Sequence, residues 1–411
     1  MRRLTTHILL IYLAIGCIIG FAIGCAPSSQ QFDASLFDKS LYTPQYATGF
    51  EIRHSDELST SIITIKNPWQ GADDVEQTLL IDPENRFRNL SANIKRIAEP
   101  ARRIVCMSSS YVAMLSALDS EECIVGVSGI DFISDKYVND NRQRIGDVGY
   151  DNNINYELLV ALNPDLVLLY GVTGASSIES KLQELGIPYI YLGEYVESSP
   201  LGKAEWLMVI GEIVGQRDKA QQCFADIATN YLQIKERSQH ATKRPRVMLN
   251  TPYRDSWFIP SQQSYMVQLI NDAGAECYTC SAEGNTSQPI DMEQAYTWAA
   301  AADYWLNVGP CNSLSDLTRQ NPKFANIQAV TQQRVYNNNA RQTAKGGSDF
   351  WESGVIRPDL ILRDLTTIFH PELQIEQIGQ TSQTEQIGQT SQTEQIGQTE
   401  QHELYYYKQL K

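Results

Sequence analysis

The sequence predicts an α/β protein of two doubly wound lobes joined by one long α-helix, with a small β-rich N-terminal extension. Three observations predict it. From Arg103 onward, short apolar runs alternate with helices of about ten residues, the pattern of a mostly parallel sheet. A helical run from Asp218 to about His240 separates two such series. A short device also recurs: "INYELLVALNPDLVLLYG" from Ile154 and "IDMEQAYTWAAAADYWLNVG" from Ile290 each hold an early glutamate, an apolar helical run, an aspartate and a hydrophobic strand.

The 411 residues suffice for two sizeable domains. A formal charge of −15 and the absence of any Lys/Arg run argue against a nucleic-acid partner. Arg2 and Arg3 precede an apolar run over 8–23 that ends in "AIGCAPSSQ". Small residues before Cys25 and polar residues after it resemble a lipobox, with residues 1–24 as a signal peptide and Cys25 as the lipidated residue. An uncleaved membrane anchor is the other reading; the run is short for a span. Both readings place the body outside the cytoplasmic membrane.

Residues 25–100 read as a tether followed by strands such as "GFEI", "SIITI" and "TLLI". In the first lobe, 101–215, "RIVCM" is a strand and "SSSYVAMLSAL" a helix with serine caps. "CIVGVS" and "DLVLLY" are further strands, and Asn155 caps the helix between them. "IESKLQELGI" is a helix ended by Gly186, "PYIYLG" a strand, and "SPLGKAEWLMVIGEIVG" one helix stopping at Gly215.

The linking helix, 216–242, places Phe224, Ile227, Ala228, Tyr231 and Ile234 on one face, and about 24 residues at 1.5 Å each give roughly 36 Å. The second lobe, 243–373, runs from "KRPRVMLN" through "RVYNNN" to a helix at "IRPDLILRDLTTIF". In 374–411, "EQIGQTSQT" repeats and ends in "HELYYYKQLK". One isoleucine per nine residues builds no core, so the repeat reads as a disordered insertion.

"RIVCMSSS", "IVGVSGID", "GDVGYDNNINYELLVALNPDLVLLYG", "LGIPYIYLGEY" and "SPLGKAEW", in that order before a linking helix, resemble the substrate-binding proteins of ABC importers. The class is the helical-backbone one, class III of the periplasmic binding proteins, which handles ferric siderophores, haem and cobalamin. The resemblance implies capture of such a chelate between the lobes and delivery to a permease dimer with its ATPase. It also implies a periplasmic, lipid-anchored location. Glu157 and Glu293 match the family's docking glutamates, one per lobe. A two-fold receptor calls for an equivalent charge on each lobe, and a carboxylate in a first helical turn is favoured by the helix dipole. The plainer reading is that both only favour their helix ends.

Ligands of open α/β sheets lie beyond the carboxyl ends of the strands. The expected cleft residues are Ser108, Ser109, Tyr111, Asp131, Tyr150 and Tyr170 from the first lobe, and Tyr253, Arg254, Trp257, Arg341, Phe350 and Trp351 from the second. Aromatic rings suit a large flat or hydrophobic ligand and arginine suits its carboxylate or catecholate oxygens; each ring could equally be core. After cleavage the histidines are His54, His240, His370 and His402, none on a strand-end loop, so no bare-metal site and no cofactor are expected. Cys277-x-x-Cys280 reads as a structural disulfide or as unpaired thiols. A hydrolase using Ser108–Ser110 lacks a G-x-S-x-G elbow. A non-transporting sensor on the same fold remains the other alternative.

Overall fold

The computed structural model describes residues 30–150, 153–373, 375 and 403–411. Cys25 and the whole of the nine-residue repeat lie outside the described residues.

The extension forms one five-stranded sheet in chain order: β1 (Lys39–Tyr42), β2 (Phe50–Ser55), β3 (Thr60–Lys66), β4 (Glu76–Ile81) and β5 (Ile94–Ile97). β1 to β4 pair antiparallel, and β4 with β5 parallel. Alternate residues Phe50 and Ile52, Ile63 and Ile65, and Leu79 and Ile81 point to one face. That face shares a single hydrophobic core with the first lobe.

The first lobe holds β6 (Ile104–Cys106), β7 (Ile124–Val127), β8 (Gly146–Asp147), β9 (Leu166–Leu169) and β10 (Tyr189–Tyr191). They form a parallel sheet in the order β8-β7-β6-β9-β10. Helix α1 (Ser109–Ala117) follows β6, capped by Ser108, and α2 (Tyr156–Ala161) precedes β9, capped by Asn155. The single helix expected over 199–215 is two: α3 (Pro200–Glu205) and α4 (Leu207–Val214) meet at Trp206, whose fully buried ring pins the junction.

Helix α5 (Arg217–Gln239) links the lobes. At 1.5 Å per residue its 23 residues span roughly 35 Å. Ala220 belongs to the first lobe's core, and Tyr231 and Ile234 to the second's, so one helix face is shared between both lobes.

The second lobe holds β11 (Arg246–Leu249), β12 (Trp257–Pro260), α6 (Tyr265–Asp272), β13 (Glu276–Cys277), β14 (Ser287–Ile290), α7 (Met292–Ala301), β15 (Tyr304–Leu306), β16 (Val335–Asn337), α8 (Pro358–Phe369) and β17 (Lys408–Gln409). Its sheet runs β13-β11-β15-β16-β17, and β12 and β14 form a separate two-stranded antiparallel sheet. The C-terminal segment is built into this lobe. β17 pairs antiparallel with β16, and the buried Asp364 carboxylate accepts the N–H groups of Tyr405, Tyr406 and Tyr407 at 2.9, 2.6 and 3.2 Å.

The repeated device is a repeated fold. Each lobe keeps the same four parallel strands in the same order, β7-β6-β9-β10 and β13-β11-β15-β16. Even the aspartate before the third strand does the same work twice. Asp165 N–H donates to Arg103 O at 2.8 Å and its carboxylate accepts Arg103 N–H at 2.9 Å; Asp303 and Arg246 repeat both bonds at 2.8 and 2.8 Å.

Candidate functional site

A cavity of about 260 Å³ lies between the lobes. The first lobe contributes strand-end residues: Ser108 and Ser109 after β6, and Glu194 and Tyr195 after β10. Lys203 of α3 adds to the floor. The second lobe contributes Tyr265 of α6, Asn285, Phe350 and Trp351. The walls are largely apolar and the floor polar, as in small-molecule sites generally.

The floor is a buried polar network. Ser108 and Ser110 hydroxyls lie 2.8 Å apart, and Ser110 Oγ–H donates to Glu194 Oε1 at 2.9 Å. Glu194 Oε2 has no partner among the described residues. The Lys203 ammonium donates to Glu194 O at 2.8 Å and Tyr195 O at 3.2 Å, and sits 4.7 Å from the Tyr265 ring centre. Burial lowers Lys203 to about 8, although Glu194 holds it up. Burial raises the Glu194 carboxyl, opposed by Lys203 and Ser110.

A second, more open groove of about 730 Å³ crosses the lobes beside it. Asp131 and Arg142, paired at 2.6 Å, line one side; Arg341 and Asp349, also at 2.6 Å, line the other. Arg341 also stacks 4.5 Å from the Tyr405 ring, so the C-terminal segment supports this wall. The lobes touch here. Thr343 Oγ–H donates to Asp131 O at 3.0 Å, Ser134 N–H donates to Glu352 at 2.8 Å, and a Cβ at Gly347 would lie 1.9 Å from Phe132 O. Only glycine permits that approach.

Burial raises the Glu352 carboxyl to about 8, against 4.5 for an ordinary glutamate. The folded state therefore holds this proton more tightly than the unfolded chain, and its contribution to stability falls as pH rises from about 5 to 8. Urea titrations across that range are expected to show the slope, and Glu352→Gln to remove it.

Of the expected cleft residues, Ser108, Ser109, Phe350 and Trp351 line the cavity, and Asp131 and Arg341 line the groove. Tyr150 is exposed and meets the Phe132 ring edge-on at 6.4 Å. Tyr170 is half-buried against the first-lobe cores. Tyr253 and Arg254 are exposed, stacked on each other at 5.2 Å, and line neither space.

Two expectations are corrected. Tyr111 is fully buried, because the Ser108 cap turns it inward, where its OH donates to Leu169 O at 3.0 Å. Trp257 is 0% exposed, because β12 packs it onto Trp305 at 5.5 Å and its Nε1–H donates to Leu249 O at 2.7 Å. Sequence reasoning missed Glu194, Tyr195, Lys203, Tyr265 and Asn285. Glu194 and Tyr195 follow a strand in "PYIYLGEY", and that position was the available signal.

Glu157 and Glu293 are both exposed, each in the first turn of the capped helix that leads into the third strand of the shared four-strand unit, β9 or β15. Such helices run antiparallel to the strands, so each glutamate stands at the strand-end side of its lobe. The six cysteines among the described residues are unpaired. Among the described residues no His, Cys, Asp and Glu cluster could hold a metal ion.

A model of the periplasmic binding protein family matches residues 104–341. A lipoprotein of Methanocaldococcus jannaschii is 27% identical over 69% of this chain and 68% of its own. An ABC transporter substrate-binding lipoprotein of Bacillus subtilis is 24% identical over 44% of this chain and 56% of its own. A periplasmic haem-binding protein of Pseudomonas aeruginosa has the same fold, with a TM-score of 0.52 and 18% identity over 66% of this chain and 93% of its own.

Proposed function

The chain belongs to the periplasmic binding protein family, and on that premise we propose that it captures a chelated metal between its lobes and hands it to an ABC permease. The ligand class is a ferric siderophore, haem or cobalamin, and the anchor is lipid on Cys25, outside the cytoplasmic membrane. The observation that carries this reading is the interlobe cavity, lined by strand-end residues of the first lobe and by helix and loop residues of the second, with aromatic walls and a polar floor. At about 260 Å³ it is smaller than a chelate of this class needs, so the lobes part on binding. The shared helix α5 keeps that motion small.

Glu157 and Glu293 dock the loaded protein on a two-fold permease dimer. The fold supports the pairing by giving both glutamates the same place in the same four-stranded unit. The cavity offers little to a hydrolase: Ser108 and Ser110 are bonded to each other, Ser110 to Glu194, and no histidine lines it.

The absorption spectrum of protein purified from its native source tests this reading, since haem, corrin and ferric catecholate absorb differently. Trp351 is 52% exposed at the cavity wall. Trp351→Ala is expected to weaken chelate binding roughly tenfold or more by titration calorimetry. Unchanged affinity would place the ligand elsewhere.

A further inference from the structure

The extension lies ahead of the family match at 104–341, yet it reaches the rim of the cavity. Its turn between β3 and β4 carries Trp69 and Gln70. The base of that turn is tied: Asn67 N–H donates to Val75 O at 2.8 Å and Val75 N–H to Asn67 Oδ1 at 3.0 Å. Trp69 meets Tyr191 edge-on at 5.2 Å and covers Gly171, where a Cβ would lie 2.8 Å from the indole. The turn is thus seated on the strand-end loops of the first lobe. Gln70 sits across the gap between the lobes. Its N–H donates to Val172 O of the first lobe at 3.0 Å, and its Nε2–H to Asn285 O of the second at 2.9 Å. Asn285 in turn donates to Tyr195 O of the first lobe at 3.1 Å. Tyr195 and Asn285 both line the cavity.

We propose that the N-terminal extension latches the two lobes beside the binding site, and that Gln70, Asn285 and Tyr195 form a gate over one mouth of the cavity, with Gln70 setting the rate at which ligand passes. This rests on the reading of the cavity as the ligand site. The rest of the extension gives the gate a fixed post. Glu197 accepts the N–H groups of Thr48 and Gly49 at 2.9 and 3.0 Å, and Glu205 those of Gln45, Tyr46 and Ala47 at 2.7, 2.8 and 2.6 Å. Both glutamates stand on the stretch leading to α5, so the extension is held where the lobes join. At the groove the lobes meet directly, through contacts of Thr343 with Asp131 and of Gly347 with Phe132 that involve no residue of the extension. One mouth therefore opens by parting the lobes alone, and the other also requires the Gln70 amide to let go. A single such bond is weak enough to break on each binding cycle.

Stopped-flow mixing with haemin, cyanocobalamin and a ferric catecholate tests the gate, using wild type and Gln70→Ala. For whichever chelate binds, association and dissociation are expected to quicken together by roughly three- to tenfold, with Kd nearly constant. Unchanged rates overturn the gate. Faster dissociation alone also overturns it, because Gln70 would then be a ligand contact. Hydrogen exchange without ligand gives a second reading: amides over 282–287 are expected to exchange faster in Gln70→Ala at an unchanged Tm, and exchange equal to wild type overturns the gate. If wild type binds none of the chelates, the proposed ligand class fails, and the exchange experiment still decides the gate.

Discussion

Replacing Glu157 and Glu293 together by alanine is expected to lower ligand uptake at least about a hundredfold while leaving ligand affinity within about twofold. Each glutamate is exposed at a helix start, away from the residues that line the cavity. Interfacial ion pairs set register and encounter rate, and losing two of them removes on the order of 3 kcal/mol from docking. Each single substitution is expected to lose roughly half of that free energy, because the two lobes present the same device to equivalent subunits. Uptake into proteoliposomes carrying the permease, beside titration calorimetry on the free protein, separates the two effects. A parallel loss of affinity would show that docking and capture share one site.

The second large effect lies where the extension is seated on α3. Glu205 is fully buried and accepts four hydrogen bonds from the extension: from the Tyr42 OH at 2.6 Å and from the N–H groups of Gln45, Tyr46 and Ala47. Glu205→Ala leaves four part-buried donors without their shared acceptor, each costing up to about 1–3 kcal/mol. A loss of at least about 3 kcal/mol in urea unfolding is expected, with protease cleavage appearing within 42–49. The neighbouring Glu197 holds Thr48, Gly49 and the Trp206 indole N–H, and would not compensate. A loss under about 1 kcal/mol would mean that the extension is held by its apolar face alone.

The architecture was legible because it rests on local signals. Strand–helix alternation, the serine and asparagine caps, and the spacing of apolar residues along α5 are all written within a few residues of one another. The duplication was legible too, although only the structure shows Asp165 and Asp303 making the same two bonds. The site was harder to read, because burial is decided by partners remote in sequence. Trp257 and Trp351 both follow polar, turn-rich segments, yet one packs on Trp305 from strand β12 and the other lines the cavity. Nothing in "YVESSPLGKAEW" marks Glu197 and Glu205 as buried. What makes them internal is a loop some 150 to 160 residues earlier, at 42–49. The C-terminal tyrosines gave no sign in the sequence that Asp364 would gather their backbone N–H groups.

The most direct measurement is calorimetric titration of the purified protein with haemin, cyanocobalamin and ferric siderophores, run beside a hydrolase assay panel. The account predicts one of these chelates bound one to one, with affinity reduced in Trp351→Ala and no turnover. Turnover without stoichiometric binding, or binding that ignores the cavity residues, would contradict it.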